Sequence, residues 1–481
     1  MNNLLALPPV LQTVLSVVVA ILILLATITI HEFGHYIVGK LLKFKINEFA
    51  IGMGPAIYKK TKKNGEVFSI RLFPLGGFCA FEGEDEDDQT VAKKNAREAA
   101  SRKGDGDRGQ KKLSKDAFNN KKPWQRILVL IAGASFNFIA AVIIVMISFT
   151  AYGHFGFAAK EVASTPSPLE QAYQLKEDDL LVAVDGKFLY FTTDLIDALN
   201  GKKKGDIVEV SVIRDGRKFT QEVALRADVS TDRMDDVHSS FDALGIATVL
   251  YVNGTEGSVF GEGSYIYRIK DRAEYESCTR VYTLNQLYES LKTLKDGESL
   301  TVYVPDGQEK KEVNLTAPVD FDLIDKENRS EVLKAFGIDG GLLYYQVASE
   351  TVRFGFFEGL GRAVVYSVRT VPVTIKSFAQ LISGKLPLSS VSGPVGTISM
   401  TSQYVSMGFK YMLNIASLIG LSVAIFNLLP IPALDGARAI FVLIEWIRKK
   451  PINRNVEGLI HFIGLILLIG FAILVDLLKV F

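Results

Sequence analysis

The stretch His31-Glu32-Phe33-Gly34-His35 puts two imidazoles four residues apart, with a carboxylate beside the first. On a helix, residues four apart share one face, one turn above the other. Two imidazole nitrogens on such a face can be offered to one metal ion. A neighbouring carboxylate can then take a proton from a water held there. His31 and His35 are therefore candidate ligands and Glu32 a candidate general base. The setting sharpens the reading, because no residue from Val10 to Ile30 is charged. About 20 apolar residues cross the hydrocarbon core of a bilayer. Ionisable groups at that depth are costly and mark functional sites, so a surface helix with scattered charges is the poorer account.

Catalytic zinc takes three protein ligands and keeps one position open, so a third group is needed. The other histidines, His154, His238 and His461, are candidates, but lone histidines near an interface are more often ordinary amphipathic residues. A carboxylate fits better. The run "FNLLPIPALDGARA" extends from Phe426 to Ala439. Pro430 and Pro432 interrupt a helix there and free backbone groups, which lipid does not tolerate unless protein or a water-filled cavity satisfies them. Asp435, within that irregular stretch, is expected to face an interior site and to serve as the third ligand. The two cysteines, Cys79 and Cys278, supply neither a disulfide framework nor a thiolate zinc site.

The elements that must carry these groups follow from hydropathy. Four segments are long and apolar enough to span: Val10–Leu41, Ile127–Tyr152, Tyr411–Leu429 and Leu459–Leu478. A further stretch ending at Leu381 carries Arg369, Pro372 and Lys376 and reads as an amphipathic interfacial helix. Lys and Arg concentrate after the first span and in "IRKKPINR", which places those loops in the cytoplasm and the block 155–350 outside. The first loop contains "EVFSIRLFPLGGFCAF", read as a hairpin lying on the membrane with its turn at Gly76-Gly77. Next comes a charged insertion poor in large apolar residues, expected to be solvated. The outer block repeats itself: Thr193–Gly216 matches Asn285–Gly307, and "ALGI" at Ala243 matches "AFGI" at Ala335. Each copy reads as a helix followed by a hairpin with an Asp-Gly turn. A net charge of +1 with no basic stripe gives no reason to expect a nucleic-acid partner.

With these motifs together the chain resembles the site-2 protease family, of the bacterial regulator-of-sigma-E protease type. The resemblance rests on HEFGH, "GMGPAIY", "PLGGFCAFEGEDE", "NKKPWQRILVLIAGASFNF", "LSSVSGPVGT" and "FNLLPIPALDG", and covers nearly the whole chain. It implies one Zn2+ per chain held by His31, His35 and Asp435, with Glu32 as catalytic acid/base. It also implies substrate contacts from Asn427 and from the loop around Gly76 and Gly77. The fold it implies is a polytopic α-helical membrane protein with four transmembrane helices and tandem extracytoplasmic α+β PDZ-like domains, resident in the cell (inner) membrane. The expected organisation is 1–42 first span; 43–122 cytoplasmic loop; 123–154 second span; 155–250 and 251–350 the PDZ-like pair; 351–409 interfacial helix and linker; 410–447 third membrane segment; 448–481 cytoplasmic loop and fourth span. The implied substrates are single-span membrane proteins or remnant signal peptides, with an upstream site-1-type protease trimming them first. A transporter would show inverted repeats among its spans, and none is visible. A scaffold that had lost catalysis would show damage to HExxH or Asp-Gly, and both are intact.

Overall fold

A computed structural model describes residues 8–84, 114–159, 174–176, 178–229, 240–241, 243–246, 248–255, 258, 260, 265–266, 268–269, 279–280, 284–306, 309–345 and 347–480. Residues 85–113, which make up most of the charged insertion, lie outside them, as do His238 and Cys278. The chain forms two units, one from residues 1–153 with 353–481 and the other His154–Val352.

The first unit is a helical assembly with a β-rich loop. Helix α1 (Pro9–Leu41) starts with proline in its first turn and ends near Lys40. Proline suits that position, where the backbone N–H is unpaired anyway, and a cation suits the C-terminal end of the dipole. Helix α2 (Pro123–Ala151) again begins on proline, and Gln125 accepts a hydrogen bond from the Lys122 N–H at 3.2 Å. Helix α8 (Phe409–Leu428) and helix α10 (Arg454–Val480) complete the set of spans. Among the described residues, four helical segments are long and apolar enough to cross a membrane: Val10–Leu41, Pro123–Ala151, Phe409–Leu428 and Asn455–Leu478. Helix α2 is the hub, packing on α1, α8, helix α6 (Phe356–Ile382) and helix α9 (Asp435–Arg448).

Helix α6 starts earlier than its apolar run suggests. It buries a stripe of small residues, Gly359, Ala363, Ser367 and Thr370. Gly359 meets Thr150 of α2, and Phe378, near the far end, meets the ring of Phe426 on α8 at 5.3 Å. Pro372 sits inside this helix without ending it. Helix α7 (Pro394–Ser406) packs on α1, and the Asp476 carboxylate of α10 accepts the N–H groups of Val395 and Gly396 at its start.

The loop after α1 folds as two long strands, β1 (Ile46–Thr61) and β2 (Val67–Phe81). They double over, so that Ala50 is registered with Phe78 on one side and Ser69 on the other. The expectation of a turn at Gly76-Gly77 is corrected here. Both glycines lie within β2, Gly77 opposite Ile51, and Gly76, at φ +89, kinks the strand. The hairpin turn falls at Lys62–Glu66, around Asn64-Gly65, the stronger two-residue turn signal. An aromatic trio, Phe44, Phe81 and Phe118, with centroids 5.6–6.0 Å apart, joins Val129 and Leu130 of α2 and Val442 of α9 in one core.

In the second unit, strands β3 (His154–Ala159), β4 (Asp179–Val184), β5 (Ile207–Arg214) and β6 (Arg217–Ala224) form one sheet. Helix α3 (Thr192–Leu199) precedes the β5–β6 hairpin. Strand β7 (Thr248–Gly254) follows, then helix α4 (Leu284–Lys292) and hairpin β8 (Ser299–Asp306) with β9 (Glu309–Thr316). The two copies of the repeat thus share one element order. Equivalent leucines sit in separate cores, Leu195 and Leu199 in one, Leu287 and Leu291 in the other. Gly245 and Gly337, at matching positions, have φ +76 and +74. Helix α5 (Arg329–Ala335) leads into β10 (Ile338–Tyr345), which pairs with β7, and the last strand, β11 (Val347–Val352), returns to pair with β3.

The hairpin turn is tied to α1 by a buried carboxylate. Glu66 accepts from the Tyr36 hydroxyl at 2.9 Å and the Lys62 ammonium at 2.6 Å, and pairs with Lys40 at 3.2 Å. Burial alone would push the Glu66 carboxyl up, but Lys62, Tyr36, Asn64 and Lys40 together hold it down to about 2. Its stabilisation is therefore complete above the ordinary value of 4.5 and is lost as pH falls towards about 2. Both lysines are partly exposed, which discounts the ion pairs. Glu66→Gln should cost about 1–2 kcal/mol at neutral pH, read as a lower unfolding midpoint in detergent. The gap from wild type should close between about pH 4.5 and 2; a gap that stays constant across that range would place the stabilisation elsewhere.

Candidate active site

The two histidines of α1 and the aspartate that opens α9 converge. His31 Nε2 lies 2.8 Å from Asp435 Oδ2, His35 Nε2 lies 3.3 Å from the same oxygen, and the two Nε2 atoms are 3.1 Å apart. Both imidazoles are 7% exposed and meet edge to face at 4.8 Å. Among the described residues this is the one group of three His, Cys, Asp or Glu side chains placed to hold a metal ion. His35 Nδ1 lies 2.8 Å from the Val129 carbonyl oxygen. A carbonyl only accepts, so Nδ1 carries a proton, and in the neutral ring Nε2 keeps its lone pair. That lone pair faces another imidazole nitrogen and a carboxylate oxygen. The donor set fits zinc: tetrahedral coordination at about 2.0–2.1 Å puts neighbouring donors roughly 3.3 Å apart.

Local sequence explains how these atoms meet. Four-residue spacing stacks His31 and His35 on one side of α1. Glycines let α2 approach that side closely. A Cβ on Gly34 would lie 2.5 Å from the Ala132 carbonyl oxygen, and one on Gly133 would lie 2.4 Å from His35 Nε2 and 2.7 Å from His31 Nε2. Asn137, one turn beyond Gly133, brings its amide within 3.5 Å of His31 Nδ1. Asp435 arrives through a broken backbone. Helix α8 stops at Leu428, Ala433 adopts φ +78, and α9 begins on Asp435. A Cβ on Gly436 would collide with the Leu428 and Leu429 carbonyls, so only glycine lets α9 start so near the end of α8. Arg438 in its first turn pairs with Glu84 after β2 at 2.6 Å, and Glu445 pairs with Arg126 of α2 at 2.8 Å.

Glu32 points towards β2: a Cβ on Gly77 would be 3.4 Å from Glu32 Cγ. Gly76 packs on Met53. Asn427 donates its amide to the Val423 carbonyl of its own helix at 3.0 Å. His154 belongs to the second unit, buried beside Phe188 and Tyr190. His461 accepts a hydrogen bond from the Ala433 N–H at 2.9 Å, and it stands outside the three-residue group. The sequence reading did not single out Val129, Arg438 or Glu445. A backbone carbonyl leaves no residue-type signal. Arg438 and Glu445 look like ordinary charges on an amphipathic helix.

Gly133 yields a test of the site's packing. Gly133→Ala should drive a methyl group between the two imidazoles. Zinc bound per chain, measured by elemental analysis of the purified protein, should fall by at least tenfold, since misplacing ligands by about 1 Å forfeits coordination geometry. Wild-type occupancy would mean that α2 can retreat from α1 without disturbing the site.

The sequence matches the model for Peptidase family M50 over residues 19–471. It is 25% identical over 475 residues to the regulator of sigma E protease of Haemophilus influenzae, covering 96% of this chain and 98% of that protein. It is 26% identical over 473 residues to the zinc metalloprotease RasP of Geobacillus kaustophilus, covering 95% and 96% of the two chains. The regulator of sigma-E protease RseP of Salmonella typhimurium is 26% identical over 474 residues, covering 93% and 95%. A match over nearly the full length, joined to paired helical histidines and a converging aspartate, settles the family: the chain belongs to Peptidase family M50, the site-2 proteases, and is a zinc metalloprotease.

Proposed function

We propose that this metalloprotease hydrolyses peptide bonds within or near membrane-spanning segments, with His31, His35 and Asp435 holding the zinc ion and Glu32 moving the protons. The observation that carries the reading is the convergence of His31 and His35, on a helix apolar enough to span a bilayer, with Asp435 at the start of α9. Zinc, when bound there, supplies a Lewis acid that lowers the pKa of water towards about 7 and polarises the scissile carbonyl. Glu32 takes the proton of the attacking water and delivers it to the leaving amine nitrogen. The Val129 carbonyl fixes the His35 ring through Nδ1. Water must reach the site through the protein, since the bilayer core offers none.

A helical substrate hides its carbonyls and must open before it is cut. Segment 77–81 of β2 runs beside Glu32, and an opened substrate strand added there would lie along the catalytic carboxylate. Asn427, at the end of α8, would hold the substrate backbone. The block 155–350 is read as a tandem PDZ-like pair outside the membrane, and the repeated element order supports this. Relatives named as regulators of sigma E support membrane-anchored regulators such as anti-sigma factors as the substrates. Remnant signal peptides are the other candidates, and in either case an upstream protease trims the substrate first.

Two experiments test this. Purified full-length protein is compared on a model membrane substrate with Glu32→Gln, His31→Ala, His35→Ala and Asp435→Ala. Glu32→Gln should keep its zinc and lose about 10²–10⁴-fold in turnover, while the other three should lose zinc. Near-normal turnover in Glu32→Gln removes its assigned role, and full zinc in Asp435→Ala moves the third ligand elsewhere. For the strand, replacing Gly76 and Gly77 with Val should spare zinc and slow cleavage of a stable helical span more than that of a Pro/Gly-broken span. Equal losses on both substrates would show that β2 supports the fold without selecting substrate.

A further inference from the structure

The geometry points to His461 as the positioning residue of the zinc site: its Nδ1 holds the Ala433 N–H and thereby fixes the turn that delivers Asp435. This inference rests on the reading of Asp435 as a ligand.

Ala433 is the critical link between α8 and α9. Its φ of +78 is left-handed, a region that disfavours residues carrying a Cβ. Something must hold it there. The flanking bonds act on its neighbours: the Ile431 N–H reaches the Leu429 carbonyl and the Leu434 N–H reaches the Ile431 carbonyl. Ala433's own N–H goes to His461 Nδ1, 2.9 Å away, on a helix separated from it by 28 residues. Because this nitrogen accepts, the ring proton of neutral His461 sits on Nε2. The ring is placed by its surroundings. Phe441 of α9 meets it edge to face at 5.6 Å. One turn further along α10, Gly464 presses on Pro432, where a Cβ would come within 2.3 Å of the proline Cβ. Helix α10 therefore carries an acceptor and a gap at positions that match the loop's N–H and its proline ring. Two residues after Ala433 the chain enters α9 with Asp435. A change in the Ala433 torsion would swing Asp435 Oδ2 away from the imidazoles, which it approaches within 2.8 and 3.3 Å.

The test compares two nearly isosteric substitutions in the full-length protein. His461→Asn keeps an acceptor at the position of Nδ1, and His461→Leu removes it. Zinc affinity is measured by chelator competition, alongside Asp435→Ala and hydrogen exchange of the Ala433 amide. His461→Leu should weaken zinc binding by about 10–100-fold, the usual effect of losing a partner that orients a ligand, and should speed exchange at Ala433. His461→Asn should stay within about threefold of wild type on both counts, at least about threefold above His461→Leu in affinity. Wild-type affinity in His461→Leu, with Asp435→Ala weakened, overturns the positioning role alone. Full zinc in Asp435→Ala overturns the ligand reading beneath it. Equal loss in the Asn and Leu variants shows that ring packing matters and the acceptor does not. If His461→Leu does not fold, His461→Asn and the wild-type amide decide: rapid exchange at Ala433 in the folded wild-type protein overturns the proposal.

Discussion

Two imidazole nitrogens and a carboxylate oxygen sit within 3.3 Å of one another, drawn from helices 400 residues apart in sequence. Lone pairs crowded this way repel unless a positive charge lies among them. The His35 Nδ1 bond to Val129 directs the other lone pair inwards, so the arrangement is built for a cation. Much of the first unit can be read as what it takes to keep those three atoms together. The small residues at the α1–α2 crossing bring backbone almost to backbone. The broken end of α8 brings the carboxylate back to the level of the histidines. The β-rich loop carries Glu84, which grips α9 through Arg438.

Irregular backbone is what lipid tolerates least, because unpaired N–H and C=O groups have no water to turn to. The chain between α8 and α9 meets that constraint in two ways. Prolines at 430 and 432 remove two donors outright. The N–H groups of Ile431, Ala433 and Leu434 each have an acceptor, two from the loop itself and one from His461. The same economy appears where α7 begins. The Val395 and Gly396 N–H groups have no intrahelical partner in a first turn, and the Asp476 carboxylate accepts both.

How much of this was legible in the sequence depends on the range of the physics involved. The spans were plain, because about 20 uncharged apolar residues have few alternatives. His31 and His35 were legible because helical spacing alone places them on one face. Asp435 was legible as an oddity, a carboxylate among prolines just past an apolar run. The repeat in the second unit was visible because buried leucines and valines recur at fixed offsets. The turn of the β1–β2 hairpin was misplaced. Gly76-Gly77 reads as a turn with a close backbone approach; the approach is there at Gly77, where a Cβ would lie 3.0 Å from the Ala50 carbonyl oxygen, while Gly76 kinks the strand instead of turning it. Gly133 and His461 act through what lies across from them, on helices distant in sequence, and no local pattern announces such a neighbour.

Ion pairs in a bundle of this kind gain little net stability, since desolvating both partners offsets most of their attraction. Arg126 and Glu445 are nonetheless paired while 5% and 7% exposed, and Glu445 also accepts the Ile452 N–H at 3.0 Å. What such a pair supplies is directional. Apolar packing on α2 would let α9 slide or rotate by a fraction of a turn at small cost, because dispersion contacts reform readily. A charge-assisted hydrogen bond at 2.8 Å has one good geometry. Arg126–Glu445 fixes α9 near its end, Arg438–Glu84 fixes it near its start, and His461 holds the turn before it. A helix held at three points has no freedom left in register or rotation, which is the condition for Asp435 to meet the same two imidazoles in every molecule.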